Sequence, residues 1–490
     1  AKTLRLGLQI MVLVPEINLT PQFESRLRAR FPEHQIVTLN SSMSDRERLQ
    51  AWMLARSGVA SIVLGTRLAI FASLPKLGLI VVDEEHDLSY KQVEGVRYNA
   101  RDLAIYMASE NNVPIILGSA TPSLETYFNF LEGKYKRVVL NERPHGPSPE
   151  IQLISVDRAF ARTIAPEILK SMGACLGRGE QVLVFLNRRG YASALFCSSC
   201  NWIAMCGRCS ARLTIHKSAV QLRCHYCGYQ SKVPDQCAEC GNHDLIDLGQ
   251  GTQRVEDDLR TQFPEASILR IDSDTTKRKG AFKAMRGFIA NSDVDIIVGT
   301  QMLAKGHDFP NLALVVVLGT DQSLFSADFR ATERLYQQLL QVSGRPGRGE
   351  KKGQVLLQTE FSQHPVYQSL IHQTFDEFAQ NLLTEREDAA FPPYCYQVLL
   401  KVAAKQERNI WNFLSLAQKE AVEIKVSGIE VYDAVPSPLF KMSGFYRGQL
   451  LIQASSRKSM RGFLRVWSTR IDGLKDNTVR YVLDVDPLDV

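Results

Sequence analysis

Apolar residues in the first 150 positions come in short continuous runs: Ile10–Val14, Ala60–Leu64, Leu77–Val82 and Pro114–Leu117. A strand covered on both faces of a parallel sheet needs such a run, whereas a half-exposed strand alternates. Between the runs, Gln22–Phe31 and Ser44–Arg56 have helical spacing, and Ala1–Gly7 reads as a short helix. Strands alternating with helices predict an α/β domain. Residues 143–149, Arg-Pro-His-Gly-Pro-Ser-Pro, carry the Pro and Gly content of a linker.

A second strand series follows at Gln181–Phe185, Ile268–Ile271, Asp295–Val298, Leu312–Leu318 and Gln354–Gln358. A cysteine-rich segment interrupts it between the first two runs. Beyond Pro392-Pro393 the pattern changes to strands at Val398–Val402, Gly428–Tyr432, Gln449–Ala454 and Arg480–Val485. With helices at Ile410–Glu423 and Arg457–Ile471, this predicts a small α+β domain of about 100 residues.

A length of 490 residues suggests about three or four domains. Apolar residues at 45% and charged residues at 22% exclude a disordered tail, a fibre or a small disulfide scaffold. The 58 Lys and Arg against 52 Asp and Glu leave a net charge of +6, which permits nucleic acid as a partner without demanding it. There is no apolar run of about 18 residues, so no membrane-spanning helix is expected, and no signal-peptide core opens the chain.

Eight of the ten cysteines crowd into residues 197–240 as four Cys-x-x-Cys pairs: Cys197/Cys200, Cys206/Cys209, Cys224/Cys227 and Cys237/Cys240. Two thiolates two residues apart share one turn and can bind one tetrahedral metal, so four pairs supply two four-thiolate zinc sites. Disulfides fit poorly beside α/β domains that carry no secretion signal. Nesting the inner pairs within the outer ones is the compact solution, although consecutive pairing stays open. His216, His225 and His243 are left over as surface residues. Cys175 and Cys395 stand alone and read as packing residues.

The run Leu77–His86 places Asp83 and Glu84 at the carboxyl end of a buried strand. An NTPase needs this arrangement, with Asp83 holding Mg2+ and Glu84 polarising the attacking water. Gly118-Ser-Ala-Thr-Pro122 follows the next strand. In the second half, Gln341-Val-Ser-Gly-Arg-Pro-Gly-Arg348 offers Arg345 and Arg348 at a three-residue interval. On one helical turn both would face a triphosphate as arginine fingers. Gly65-Thr66-Arg67 follows a strand and suits a DNA phosphate contact.

The ordered set Val14-Pro-Glu-Ile17, Gly65-Thr-Arg67, Asp83-Glu-Glu-His86, Gly118-Ser-Ala-Thr121, Asn187-Arg-Arg-Gly190, eight cysteines, Gly299-Thr-Gln-Met-Leu-Ala-Lys-Gly306 and Ala327-Asp-Phe-Arg330 resembles the bacterial primosomal replication-restart helicases (primosomal protein N′, superfamily 2). The similarity runs through to Val482-Leu-Asp-Val-Asp-Pro487. It implies an α/β protein with two RecA-like parallel-sheet lobes, a two-zinc insertion in the second, and a C-terminal α+β domain. The corresponding boundaries are 1–145 for the first lobe, 146–195 and 245–388 for the second, 196–244 for the insertion and 389–490 for the last domain. The family's zinc pairing is the nested one.

The resemblance further implies that ATP is the substrate and Mg2+ a cofactor, with Glu85, His86, Gln341 and Gly306 at the nucleotide. Thr66, Arg67 and Arg447 would contact DNA. Ser89–Tyr98 matches an aromatic-rich loop that senses single-stranded DNA, where Tyr90 and Tyr98 would stack on bases and Lys91 and Arg97 would reach phosphates. Val96 stands where the family usually has Trp. Residues 391–490 hold 14 basic and 10 acidic residues, and Arg457, Lys458, Arg461 and Arg465 share a helix. This suits branched DNA or the acidic tail of single-strand DNA-binding protein. Implied partners are forked and single-stranded DNA, that protein, and the primosome proteins that load the replicative helicase. The implied location is a bacterial cytoplasm, at the nucleoid.

Departures accompany the match. No Gly-x-x-x-x-Gly-Lys-Ser/Thr occurs in these 490 residues, and that loop cradles the β- and γ-phosphates. In the family it lies upstream of the segment matching Ala1, as does a DNA-binding domain, so the chain is expected to be a fragment. Leu318-Gly-Thr-Asp321 keeps one acid of a family pair, and Pro346 and Ser343 replace small residues of the arginine motif. The alternative function is a non-catalytic DNA- and primosome-binding scaffold.

Overall fold

The computed structural model describes residues 1–490 except 17–19, 141–147, 158–163, 188–193, 198, 201, 217–220, 225, 244, 249–251, 273–274, 276–284, 286, 290, 301–308, 310, 327, 348–352, 475–476 and 490. The chain forms two compact units, Ala1–Arg137 and Val138–Val490.

Five parallel strands make the sheet of the first unit: β1 (Gln9–Leu13), β2 (Ile36–Leu39), β3 (Ile62–Gly65), β4 (Leu77–Val82) and β5 (Ile115–Leu117), in the order β2-β3-β1-β4-β5. Every residue of β1 is buried, because the pleat sends alternate side chains into two cores. Ile10 and Val12 pack with Leu4, Phe23, Leu27 and Phe31 on one face. Met11 and Leu13 pack on the other with Ala51, Ala55, Ala100, Ala104 and Ala108. The helix Asp45–Arg56 starts at Ser44, which forms a reciprocal capping box with Glu47. The four-residue strand β2 escapes the hydrophobic pattern because it is so short.

The larger unit carries a parallel six-stranded sheet built from β6 (Glu150–Ser155), β7 (Gln181–Leu186), β13 (Ile268–Ile271), β14 (Ile296–Gly299), β15 (Leu312–Leu318) and β16 (Gln354–Thr359). The order is β13-β14-β7-β15-β16-β6. Between β7 and β13 the chain leaves to form an antiparallel sheet of β8 (Ala194–Cys197), β9 (Thr214–His216), β10 (Gln221–Arg223), β11 (Gln230–Lys232) and β12 (Leu245–Leu248). The edge strand β6 had no continuous apolar run to announce it, since its burial is incomplete throughout.

The last domain is an antiparallel sheet of β17 (Tyr396–Ala404), β18 (Ile429–Val431), β19 (Val435–Met442), β20 (Phe445–Ala454) and β21 (Val479–Val485). Helices Glu407–Glu423 and Arg457–Leu474 cover the sheet, packing Phe413, Leu414, Phe463 and Trp467 onto Val398, Leu400, Leu450 and Ile452. Pro436 and Pro438 disguise β19, which pairs only with β20 and so needs no donor on its other side. A buried ion pair of 2.6 Å between Glu333 and Arg386 joins the helix Ala331–Ser343 to the helix Phe375–Asp388. Beside it Phe329 stacks on Phe391 at 4.6 Å, and Arg334 donates to the Leu488 carbonyl at 2.7 Å.

Candidate functional site

At the carboxyl end of β4 the ladder with β5 runs on, with Gly118 N–H donating to Val82 O at 2.8 Å and Glu85 N–H to Gly118 O at 3.0 Å. The two motifs are therefore clamped backbone to backbone. Glu84 lies between them with φ +46°, a left-handed conformation that costs a non-glycine residue energy and here turns the chain sharply after Asp83. Burial, then the charge of Glu84, pushes the Asp83 carboxyl up to about 6. A half-desolvated carboxylate of this kind suits a divalent cation, which would restore its charge balance. His86 Nδ1 lies 2.7 Å from Ser119 Oγ, and the same oxygen accepts from Thr121 N–H at 2.9 Å.

Glu85 departs from its expected role at the nucleotide. Its side chain is fully enclosed, and its oxygens accept from Ser123 N–H at 2.7 Å, Ser123 Oγ at 3.1 Å, Thr126 Oγ1 at 3.0 Å and Arg101 Nη1 at 3.1 Å. That carboxylate anchors the start of the helix Leu124–Leu131 and is saturated by protein donors.

Thr66 is buried at the start of a 3₁₀ turn, Arg67–Phe71. Gly65 before it has no room for a side chain: a Cβ there would lie 2.3 Å from Leu39 O and 2.5 Å from Ala69 Cβ. Arg67 reaches inward as well as outward, with Nη1 donating to Ser89 O at 3.1 Å. Sequence reasoning missed this brace, for which no local signal exists.

Tyr90 also corrects its expectation. Its ring is 1% exposed, so it offers no platform to a base. Its hydroxyl lies 2.6 Å from Asp83 O and 3.0 Å from Leu13 O, beneath the carboxyl end of the sheet. Lys91 is buried too, and pairs antiparallel with Asn99 to close the loop. Tyr98 is half-buried against Phe71, ring centroids 4.9 Å apart. Arg97 is half-buried, and the exposed tip is Val93-Glu94-Gly95-Val96, with Val96 81% exposed.

In the larger unit, the helix bearing Gln341 stops at Ser343. Arg345 lies beyond it, buried, in a turn where its N–H donates to Val342 O at 3.1 Å. Arg345 therefore lies off the helix, because Gly344 caps it and Pro346 cannot continue it; the expected pairing with Arg348 falls outside the described residues. Arg348, Gly306, Arg188, Arg189 and Gly190 lie outside the described residues. Asp321 is an internal brace, accepting from Tyr367 Oη at 2.7 Å and Glu360 N–H at 2.8 Å.

The eight clustered cysteines form two groups, Cys197/Cys200/Cys237/Cys240 and Cys206/Cys209/Cys224/Cys227, with all sulphurs of a group within 4.8 Å of one another. This is the nested pairing. Separations of 3.5 Å for Cys197–Cys240 and Cys200–Cys237, and 3.7 Å for Cys206–Cys227, are far too long for disulfides. They match the edge of about 3.8 Å in a tetrahedron of sulphurs 2.3 Å from zinc. Arg208 N–H donates to Cys206 Sγ and Glu239 N–H to Cys237 Sγ, both at 3.4 Å, so each knuckle stabilises its own thiolate. The donor set and geometry fit two zinc ions. His243 is exposed, with Nδ1 3.0 Å from Asp235 O, and is not among the grouped ligands. His225 and the side chain of His216 lie outside the described residues.

On the last domain, Arg457, Lys458, Arg461 and Arg465 are exposed on the helix whose other face buries Met460, Phe463, Trp467 and Ile471. Arg447 is half-buried on β20, its Nη1 3.5 Å from Met442 Sδ. Among the described residues no helix is long and apolar enough to cross a membrane.

Four family descriptions match in chain order: DEAD/DEAH box helicase over residues 2–130, the PriA DNA helicase Cys-rich region domain over 206–232, the helicase conserved C-terminal domain over 237–350, and the primosomal protein N C-terminal domain over 387–488. The replication restart protein PriA of Haemophilus influenzae is 43% identical over 490 residues, which is 99% of this chain and 67% of that protein. The Bacillus subtilis protein of the same name is 36% identical over 95% of this chain and 58% of its own length. That of Rickettsia conorii is 34% identical over 98% and 74%. The chain thus spans between about three fifths and three quarters of these relatives. By the ordered domain matches and this identity, the chain belongs to the replication restart protein PriA family.

Proposed function

We propose that this chain works as an ATP-dependent DNA helicase that moves 3′ to 5′, recognises stalled or repaired replication forks and restarts replication by primosome assembly. The observation that carries the reading is the constellation at the end of β4. Asp83 is poised to hold a divalent cation, and Glu84 is turned out beside it, its side chain 35% exposed. His86 and Ser119 link both to the next strand. When bound, Mg2+ would supply charge stabilisation for the transferring phosphoryl group. Glu84 would orient and deprotonate the attacking water. A change in the phosphate site would pass through Ser119 and the backbone clamp to Thr66, Arg67 and the Ser89–Tyr98 loop, which lie at the same end of the sheet.

Forked and single-stranded DNA, the acidic tail of single-strand DNA-binding protein and other primosome proteins are the partners that fit this reading. The exposed basic helix of the last domain supports the first two. The site of action would be the bacterial cytoplasm, at the nucleoid. Substituting Glu84→Gln tests the motor: fork-stimulated hydrolysis and unwinding should vanish together while fork binding persists. Hydrolysis that survives the substitution defeats the proposal. Calorimetry with Mg-ATP separates it from the scaffold reading. A scaffold would show no heat of nucleotide binding.

A further inference from the structure

The turn between β19 and β20 lies against the Cys206–Cys209 knuckle. Ser443 N–H donates to Cys209 Sγ at 3.1 Å, across 234 positions of sequence. Gly444 N–H donates to Arg208 O at 3.0 Å, Ser210 N–H to Lys441 O at 2.7 Å, and Lys441 N–H to Ser210 Oγ at 3.1 Å. Leu439 and Met442 pack on the insertion's own core of Leu213, Leu222 and Cys224. The turn is built for this approach. Ser443 and Gly444 both hold positive φ, 52° and 82°, so the chain reverses within two residues.

Cys209 differs from the other thiolates whose hydrogen bonds were described above. Cys206 and Cys237 each accept an N–H from two residues along their own knuckle. Cys209 accepts instead from a different domain. A donor to a metal-bound thiolate neutralises part of its charge and fixes its direction, and losing such a donor typically weakens metal binding about 10- to 100-fold. The coupling is reciprocal: what the turn contributes to metal binding, bound metal contributes to docking of the turn.

We propose that the Met442–Gly444 turn belongs to the Cys206/Cys209/Cys224/Cys227 zinc site, and that metal in this site fastens the C-terminal domain to the insertion. Among the described residues, no hydrogen bond from the C-terminal domain reaches the other four cysteines. Zinc there has a separate job, at the base of the insertion. The fastened hairpin carries Lys441 over the Tyr446 ring and abuts Arg480 over the Phe445 ring, each at 4.9 Å. Metal occupancy therefore sets where this cationic, aromatic surface is held.

Two measurements on the zinc-loaded chain test the idea. In hydrogen exchange, the amides of Lys441, Ser443 and Gly444 should exchange at least about tenfold faster once a chelator has stripped the metal, while Leu399 and Leu400 in β17 keep their protection. In chelator-driven zinc release, Ser443→Pro, which deletes the donor, and Gly444→Val, which disfavours the turn, should speed the loss of one ion about tenfold or more and leave the other at the parental rate. Ser443→Gly keeps both the N–H and the positive φ and should release like the parent. Equal acceleration of both ions, unchanged release in both altered turns, or exchange at 441–444 that ignores metal would each overturn the proposal. Should Ser443→Pro fail to fold, Gly444→Val and the exchange of the unaltered chain still decide.

Discussion

The Tyr90 hydroxyl lies 2.6 Å from the carbonyl oxygen of Asp83, tying the start of the Ser89–Tyr98 loop to the residue that follows β4. Removing only that oxygen is informative. Tyr90→Phe keeps an aromatic ring but leaves the Asp83 carbonyl short of its donor, which costs about 1–3 kcal/mol in a buried setting. Urea denaturation of the first unit should show that loss, with affinity for single-stranded DNA unchanged. A Tyr90 that served only to stack on bases would leave stability as well as affinity at the parental values, since Phe stacks as well as Tyr.

Glu84 and Glu85 are neighbours with opposite dependence on the fold. Glu84→Gln should leave the melting temperature near the parental value while removing hydrolysis. Glu85→Ala should cost about 3–5 kcal/mol, because it strands the Arg101 guanidinium and the donors of Ser123 and Thr126. Thermal unfolding of both variants side by side checks the contrast. Equal effects would mean that the two carboxylates share one role.

Val96, at the exposed tip of the loop, is the place to add a stacking surface. Val96→Trp should tighten binding of a short single-stranded oligonucleotide by about 1 kcal/mol, roughly fivefold. Fluorescence anisotropy of a labelled strand measures this directly. Affinity unchanged by the indole would remove this loop from the DNA path.

Zinc content reads the nested connectivity. Cys197→Ser with Cys237→Ser damages one group and should leave about one ion per chain. Cys197→Ser with Cys206→Ser damages both and should leave close to none. Consecutive pairing predicts the reverse, near-complete loss in the first double variant and about one ion left in the second, so elemental analysis of the two proteins distinguishes the schemes.

Most parallel strands were readable from sequence as continuous apolar runs, the four-residue β2 being an exception. Leu77–Val82, Ile268–Ile271 and Leu312–Leu318 hold their expected limits. Strands with one open side, such as β6 and β19, were invisible because their apolar pattern is broken by exposure or by proline. The cysteine groups were legible because ligand spacing is a local property. The burial of Tyr90 and the saturation of Glu85 were not, since both depend on partners tens of residues away. Arg345 is the instructive middle case. Gly344 and Pro346 mark a helix end in the sequence itself, so the turn at Arg345 is legible there.

One consequence follows from how the insertion leaves the large parallel sheet. Strand β8 pairs antiparallel with β12, Ala194 opposite Leu248 and Cys197 opposite Leu245, so the excursion departs and returns at a single neck. Zinc on Cys197, Cys200, Cys237 and Cys240 knots that neck. An appendage with adjoining ends puts no tension on its host, and β7 keeps β14 and β15 as neighbours whatever hangs from the neck. Changes inside the excursion therefore need no compensating change in the sheet that carries it; the surface it must keep matching is the Met442–Gly444 turn.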